Sequence, residues 1–96
     1  MEESPVNFEP YPGGDLVEVG ISDLNAGRET VASLLVSIGA PRLRLLGIDI
    51  PENTFATPEH RLYERLARTE GDGAHSKYNS LVRRLVSFER AYACGG

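Results

Sequence analysis

The sequence predicts a small α+β domain, with two or three strands in a β-α-β start and a pair of helices at the C-terminal end. Three observations predict it. Residues 15–22 alternate apolar and polar side chains, residues 42–50 are a leucine- and isoleucine-rich run, and two later stretches carry helical periodicity behind marked starts. The chain has 96 residues with 41% apolar and 25% charged content, which fits one globular domain with one modest core. The expected boundaries are a flexible or extended lead over residues 1–14, a single domain over 15–93 and a tail over 94–96.

The lead contains Pro5, Pro10, Pro12 and Gly13-Gly14, with Phe8 and Tyr11 as aromatic anchors. The first strand is expected from Asp15 to Ser22, with Val17, Val19 and Ile21 facing inward. Ser22 or Asp23 can then cap a helix whose inner positions Val31, Leu34, Leu35 and Ile38 fall at i, i+3, i+4 and i+7. Gly39 followed by Pro41 reads as its stop.

The second strand is expected over Arg42–Ile50, with Gly47 marking a bulge or a change of face. After a loop, Thr57-Pro58-Glu59 has the order of an N-cap, a first-turn proline and a first-turn acid, which starts a helix over Pro58–Arg68. Glu70-Gly71-Asp72-Gly73 ends it. Ser76 can cap a last helix to about Ala93, with an inner stripe of Tyr78, Leu81, Val82, Leu85, Phe88 and Tyr92. Two strands are too few for a stable sheet, so residues 5–12 or a second copy of the chain would complete it, which makes a homodimer an expectation.

Charge is unevenly divided. Residues 1–58 hold nine acidic and three basic side chains, a balance of −6, while residues 59–96 hold five and seven, a balance of +2; together they give −4. An acidic chain of this kind is a poor partner for nucleic acid, whose phosphates dominate affinity. The opening residues predict no secretory leader, no run approaches the ~20 apolar residues of a membrane span, and a single cysteine, Cys94, allows no internal disulfide. These features predict a cytoplasmic protein without a membrane segment.

No cofactor motif is present, and neither a phosphate loop, a calcium loop, a paired-cysteine zinc signature nor a nucleophile elbow can be found. His60 and Glu64, at i and i+4, with His75 in the next loop, are weak metal-ligand candidates; a solvated helix face accounts for that spacing better, since no third ligand follows at a recognisable spacing. The sequence thus favours a non-catalytic role. The acidic side chains Asp15, Glu18 and Glu29 and the aromatics Phe8, Tyr11 and Phe55, expected to be exposed, point to binding another protein with a basic, partly apolar surface. An inhibitor, an immunity or antitoxin-like protein, or an accessory subunit would fit that description.

Arg61, Arg65 and Arg68 align at i, i+4 and i+7 on one helix and form the sharpest local pattern in the chain. They can serve as a docking strip for an acidic partner or a phosphate backbone, or as a solvated face paired with Glu64. Two other roles are therefore weighed beside protein binding. One is a metal- or ligand-binding enzyme completed across a dimer; the other is a nucleic-acid regulator using the arginine strip.

Overall fold

Neither predicted strand forms: residues 15–22 lie within a helix, and residues 42–50 are the last turn of a helix followed by a turn and irregular backbone. The computed structural model describes Phe8 and residues 11–95. These form α1 (Gly14–Asn25), α2 (Val31–Leu45), α3 (Pro58–Glu70), a 3-10 turn (Gly71–Gly73) and α4 (Ala74–Gly95). The described residues contain no strand, so the α+β class and its β-α-β start are replaced by an all-helical fold. The unpaired strand edge that suggested a second copy does not exist in this architecture. The suggestion that residues 5–12 add a strand falls on positions that, Phe8, Tyr11 and Pro12 apart, lie outside the described residues.

Residues 15–22 satisfy both periods, which is why their sequence predicts a strand where a helix forms. Val17, Val19 and Ile21 fit a two-residue alternation, whereas Val17, Gly20, Ile21 and Leu24 fit the stripe of a helix at i, i+3, i+4 and i+7. The helical set wins. Val17, Gly20 and Leu24 are buried and Ile21 is half-buried, while Val19 is 53% exposed. At Gly20 the two helices meet so closely that a Cβ would strike the carbonyl oxygen of Ala32 and a methyl of Val36 on α2.

The turns are encoded by glycine at positions with positive φ. Gly27 (φ 75°) ends α1: its N–H donates to Leu24 O, and the N–H of Arg28 donates to Asp23 O. Gly47 (φ 90°) ends α2 in the same way, with Gly47 N–H to Arg44 O and Ile48 N–H to Leu43 O. Both are Schellman closures, which satisfy carbonyls that a helix end leaves without donors.

The cap of α2 is Thr30 rather than Ser22 or Asp23. Its hydroxyl accepts from Ser33 N–H at 3.1 Å while Ser33 Oγ accepts from Thr30 N–H at 2.7 Å, the reciprocal pair of a capping box. The predicted stop at Gly39-Pro41 does not operate. Gly39 lies inside α2 and faces Leu85 of α4, and Pro41 sits on the exposed side of the helix. An interior proline costs about 3 kcal/mol. That cost is opposed by the last turn it keeps in place, which buries Leu43 and carries Ile48 and Ile50 into the core.

The C-terminal half follows the sequence more closely. Pro58 is the first residue of α3, and Leu62 and Leu66 are buried. On α4 Leu81, Leu85 and Phe88 are buried, with Tyr78, Val82 and Tyr92 packed at their margin. Ser76 is inside α4, which begins at Ala74. Helices α1 and α2 pack on each other, as do α3 and α4, and α2 contacts both later helices.

The aromatic lead closes the core. Phe8, expected at the surface, is buried against Phe88 and Tyr92 with ring centroids 5.1 and 5.6 Å away, and its N–H donates to the Glu18 carboxylate. Tyr11 stacks beside it, 5.9 Å from Phe88 and 5.3 Å from Tyr92.

Candidate functional site

Most of the acidic groups expected to meet a partner are engaged within the chain. Asp15 accepts from Arg84 of α4 at 3.3 Å. Glu18 accepts from the Phe8 amide. Glu29 accepts from Arg61 at 3.0 Å and lies 3.8 Å from Arg65. Of the expected aromatic anchors, Phe8 is buried, Tyr11 is half-buried, and Phe55 packs on the core margin with its N–H donating to Ser37 Oγ at 3.2 Å. None of the three stands free in solvent.

Asp23 organises the turn between α1 and α2. Its Oδ2 accepts the Thr30 hydroxyl at 2.6 Å and its Oδ1 accepts from Arg28 Nη2 at 2.9 Å and Nε at 3.1 Å. The hydrogen bond from Thr30 and then those from Arg28 hold its carboxyl below the ordinary range, outweighing the opposite effect of burial. Replacing Asp23 with alanine is expected to cost about 2–3 kcal/mol, the range for losing charged hydrogen bonds and leaving their donors unpaired. Because the folded value is depressed, this contribution is complete above the unfolded value near ~3.9 and disappears as pH falls through the folded value. Urea unfolding of wild type and the Asp23→Asn variant at pH 6 and at decreasing pH below 4 checks it: the gap in stability narrows only in acid.

Among the described residues, three clefts bear on function. One of about 540 Å³ lies beside α1 and is lined by Phe8, Glu18, Ile21, Ser22, Asn25, Ile48 and Asp49. Its apolar walls come from Phe8, Ile21 and Ile48. Its carboxylates are Glu18 and Asp49, and Asp49 forms no ion pair among the described residues. Two residues expected to bind a partner, Phe8 and Glu18, therefore meet here. The sequence offered no signal for Asp49 or Ile48, because their position depends on the turn at Gly47.

The second cleft, about 290 Å³, runs along α3 and is lined by Glu29, Thr57, His60, Arg61, Glu64, Arg65 and Arg68. All three arginines of the predicted strip thus share one cavity. His60 Nε2 lies 3.2 Å from Glu64. His75, the third metal-ligand candidate, instead contacts Asn79 at 3.2 Å and stands beside Tyr63. No group of three histidine, cysteine, aspartate or glutamate side chains in the described residues is placed to hold a metal ion.

A third cleft of about 360 Å³ lies between the end of α2 and α4, bounded by Arg42, Leu46, Val86, Glu89, Arg90 and Ala93. Burial raises the Glu89 carboxyl above its ordinary range, against the opposing effect of Arg42 at 3.8 Å. Leu45 is 88% exposed on the last turn of α2. No helix of the described residues is long and apolar enough to cross a membrane.

Compared with known proteins, the chain matches no family model, no curated protein sequence and no solved structure.

Proposed function

We propose that this chain is a small cytosolic protein-binding module that docks a basic, partly apolar segment of another protein in the cleft beside α1. The observation that supports this reading is the composition of that cleft: the apolar side chains Phe8, Ile21 and Ile48 next to the carboxylates Glu18 and Asp49. Ile21, half-buried beside the buried Phe8 and Ile48, supplies apolar area whose burial favours association. The carboxylates select a partner of opposite charge, and the −6 balance of residues 1–58 steers the approach. The role is that of an inhibitor, an immunity-type protein or an accessory subunit.

Reversing Asp15, Glu18 and Glu29 would disturb contacts within the chain, so the test belongs at residues free of them. Ser22 and Asp49 are exposed on the cleft. Affinity capture from the source organism's lysate, read by mass spectrometry at low and high salt, is expected to retain a partner with wild type at low salt and to lose it with Ser22→Arg/Asp49→Lys. Capture of the same set by the double variant, at an unchanged melting temperature, would refute the assignment of the cleft.

A further inference from the structure

We infer that the cleft along α3 binds the phosphoryl group of a small molecule, with Arg61, Arg65 and Arg68 as donors and Glu29 as the intramolecular anion that the ligand displaces. The arginine spacing places three guanidinium groups on one face of α3, and they line an open polar cleft of about 290 Å³. A guanidinium offers donors in a planar fork that matches phosphate oxygens, and it stays charged at any ordinary pH.

The hydrogen bonding of this cluster is incomplete. Among the described residues, Glu29 is the one carboxylate reaching it from outside α3, and it serves two arginines unequally, at 3.0 Å to Arg61 and 3.8 Å to Arg65. Arg65 Nε is shut off from solvent and has no acceptor among the described residues. Arg68 lines the same cavity and forms no ion pair among the described residues. Glu64, the remaining acid of the cavity, lies against His60 at 3.2 Å. Three arginines thus face two carboxylates, one of them opposite an imidazole.

A phosphoryl dianion brings more charge and more acceptor oxygens than the carboxylate it replaces. It can therefore accept from Arg61 and Arg65 together and from Arg68, which lines the same cleft without an ion pair among the described residues. Thr57 adds to this environment at the start of α3. Its hydroxyl donates to Ala56 O at 2.8 Å and does not cap the helix, so no Thr57 oxygen accepts from the first-turn amides, although Glu59 places an acid in that turn.

The small volume favours one or two phosphoryl groups over a long polyanion. Glu59, Glu64 and Glu70 on the same helix and the overall charge of −4 oppose a nucleic-acid backbone.

The test is a titration of the full chain with sodium pyrophosphate, followed by amide and arginine Nε NMR shifts at constant ionic strength, with inorganic phosphate and sodium chloride as parallel arms. Saturable shifts at residues 57–68 are expected with pyrophosphate and absent with chloride. Glu29→Gln is expected to bind pyrophosphate about tenfold more tightly, since it removes a competing unit charge. Arg65→Lys, which keeps the charge and loses the fork, is expected to bind about tenfold more weakly. Arg68→Gln weakens binding without touching an ion pair of the fold and so separates ligand loss from unfolding.

The inference is overturned if pyrophosphate gives no more shift than chloride, or if Glu29→Gln and Arg68→Gln leave its affinity unmoved. Displacement of pyrophosphate by duplex DNA, with steeply salt-dependent DNA binding, would overturn the small-molecule assignment in favour of a nucleic acid.

Discussion

Replacement of Phe88 by alanine is expected to remove about 3–5 kcal/mol of unfolding free energy, the range for deleting a buried phenylalanine. Phe88 is fully buried on α4 and contacts Phe8, Tyr11 and Tyr92 through ring pairs 5.1–5.9 Å apart. Two consequences combine at this position. The α4 stripe loses its largest side chain, and the aromatic lead loses the surface that holds it against the helices. A domain of this size has roughly 5–15 kcal/mol of stability in all, so the variant would stand near the limit of folding. Urea unfolding monitored by circular dichroism checks the magnitude. A double-mutant cycle with Phe8→Ala then measures the coupling, expected at about 0.5–1.5 kcal/mol beyond area burial for an edge-to-face pair. A loss below about 1 kcal/mol for Phe88→Ala would contradict the packing described for this cluster.

The second large effect is expected at Gly20. In an exposed helix, glycine to alanine gains about 1 kcal/mol from propensity. At Gly20 the added methyl would occupy the space of the Ala32 carbonyl oxygen, a backbone atom that cannot rotate away. Gly20→Ala is therefore expected to reverse the sign and cost about 2–3 kcal/mol, at the upper end of overpacking penalties. Gly27 provides the comparison. Open space surrounds its missing Cβ, so Gly27→Ala meets only the penalty of its positive φ, about 1–2 kcal/mol. The expected order of melting temperatures is wild type, Gly27→Ala, then Gly20→Ala. A Gly20→Ala protein as stable as wild type would mean that α1 and α2 are farther apart than described.

Much of the C-terminal half is legible in the sequence because its signals are long and agree with each other. Pro58 with Glu59 marks the start of α3, and a stripe from Tyr78 to Tyr92 spans four turns of α4, too long for a two-residue period to imitate. The arginine strip is equally legible, since three residues on a well-marked helix must share a face. Its role is not, because Glu29 enters from the turn before α2 and leaves the Arg65 Nε without an acceptor among the described residues. The acidic docking face illustrates the same limit. Charge counts identify Asp15, Glu18 and Glu29 as acids, yet their partners Arg84, the Phe8 amide and Arg61 are 69, 10 and 32 residues away in the chain.

By itself the sequence determined the break at Gly71, a glycine at positive φ, together with the two C-terminal helices and their inward stripes, whereas the turns at Gly27 and Gly47 fall inside elements that it predicts to be continuous. These are local matters, settled by backbone conformation and by one dominant period. Only the tertiary structure decided that residues 15–22 are helical and that α2 continues through Pro41. Eight residues can satisfy two periods at once, and a proline is tolerated when burial of Leu43, Ile48 and Ile50 offsets its lost hydrogen bond. Burial depends on residues distant in the chain, and those same distant residues decide which charges of this protein are paired and which face a cleft.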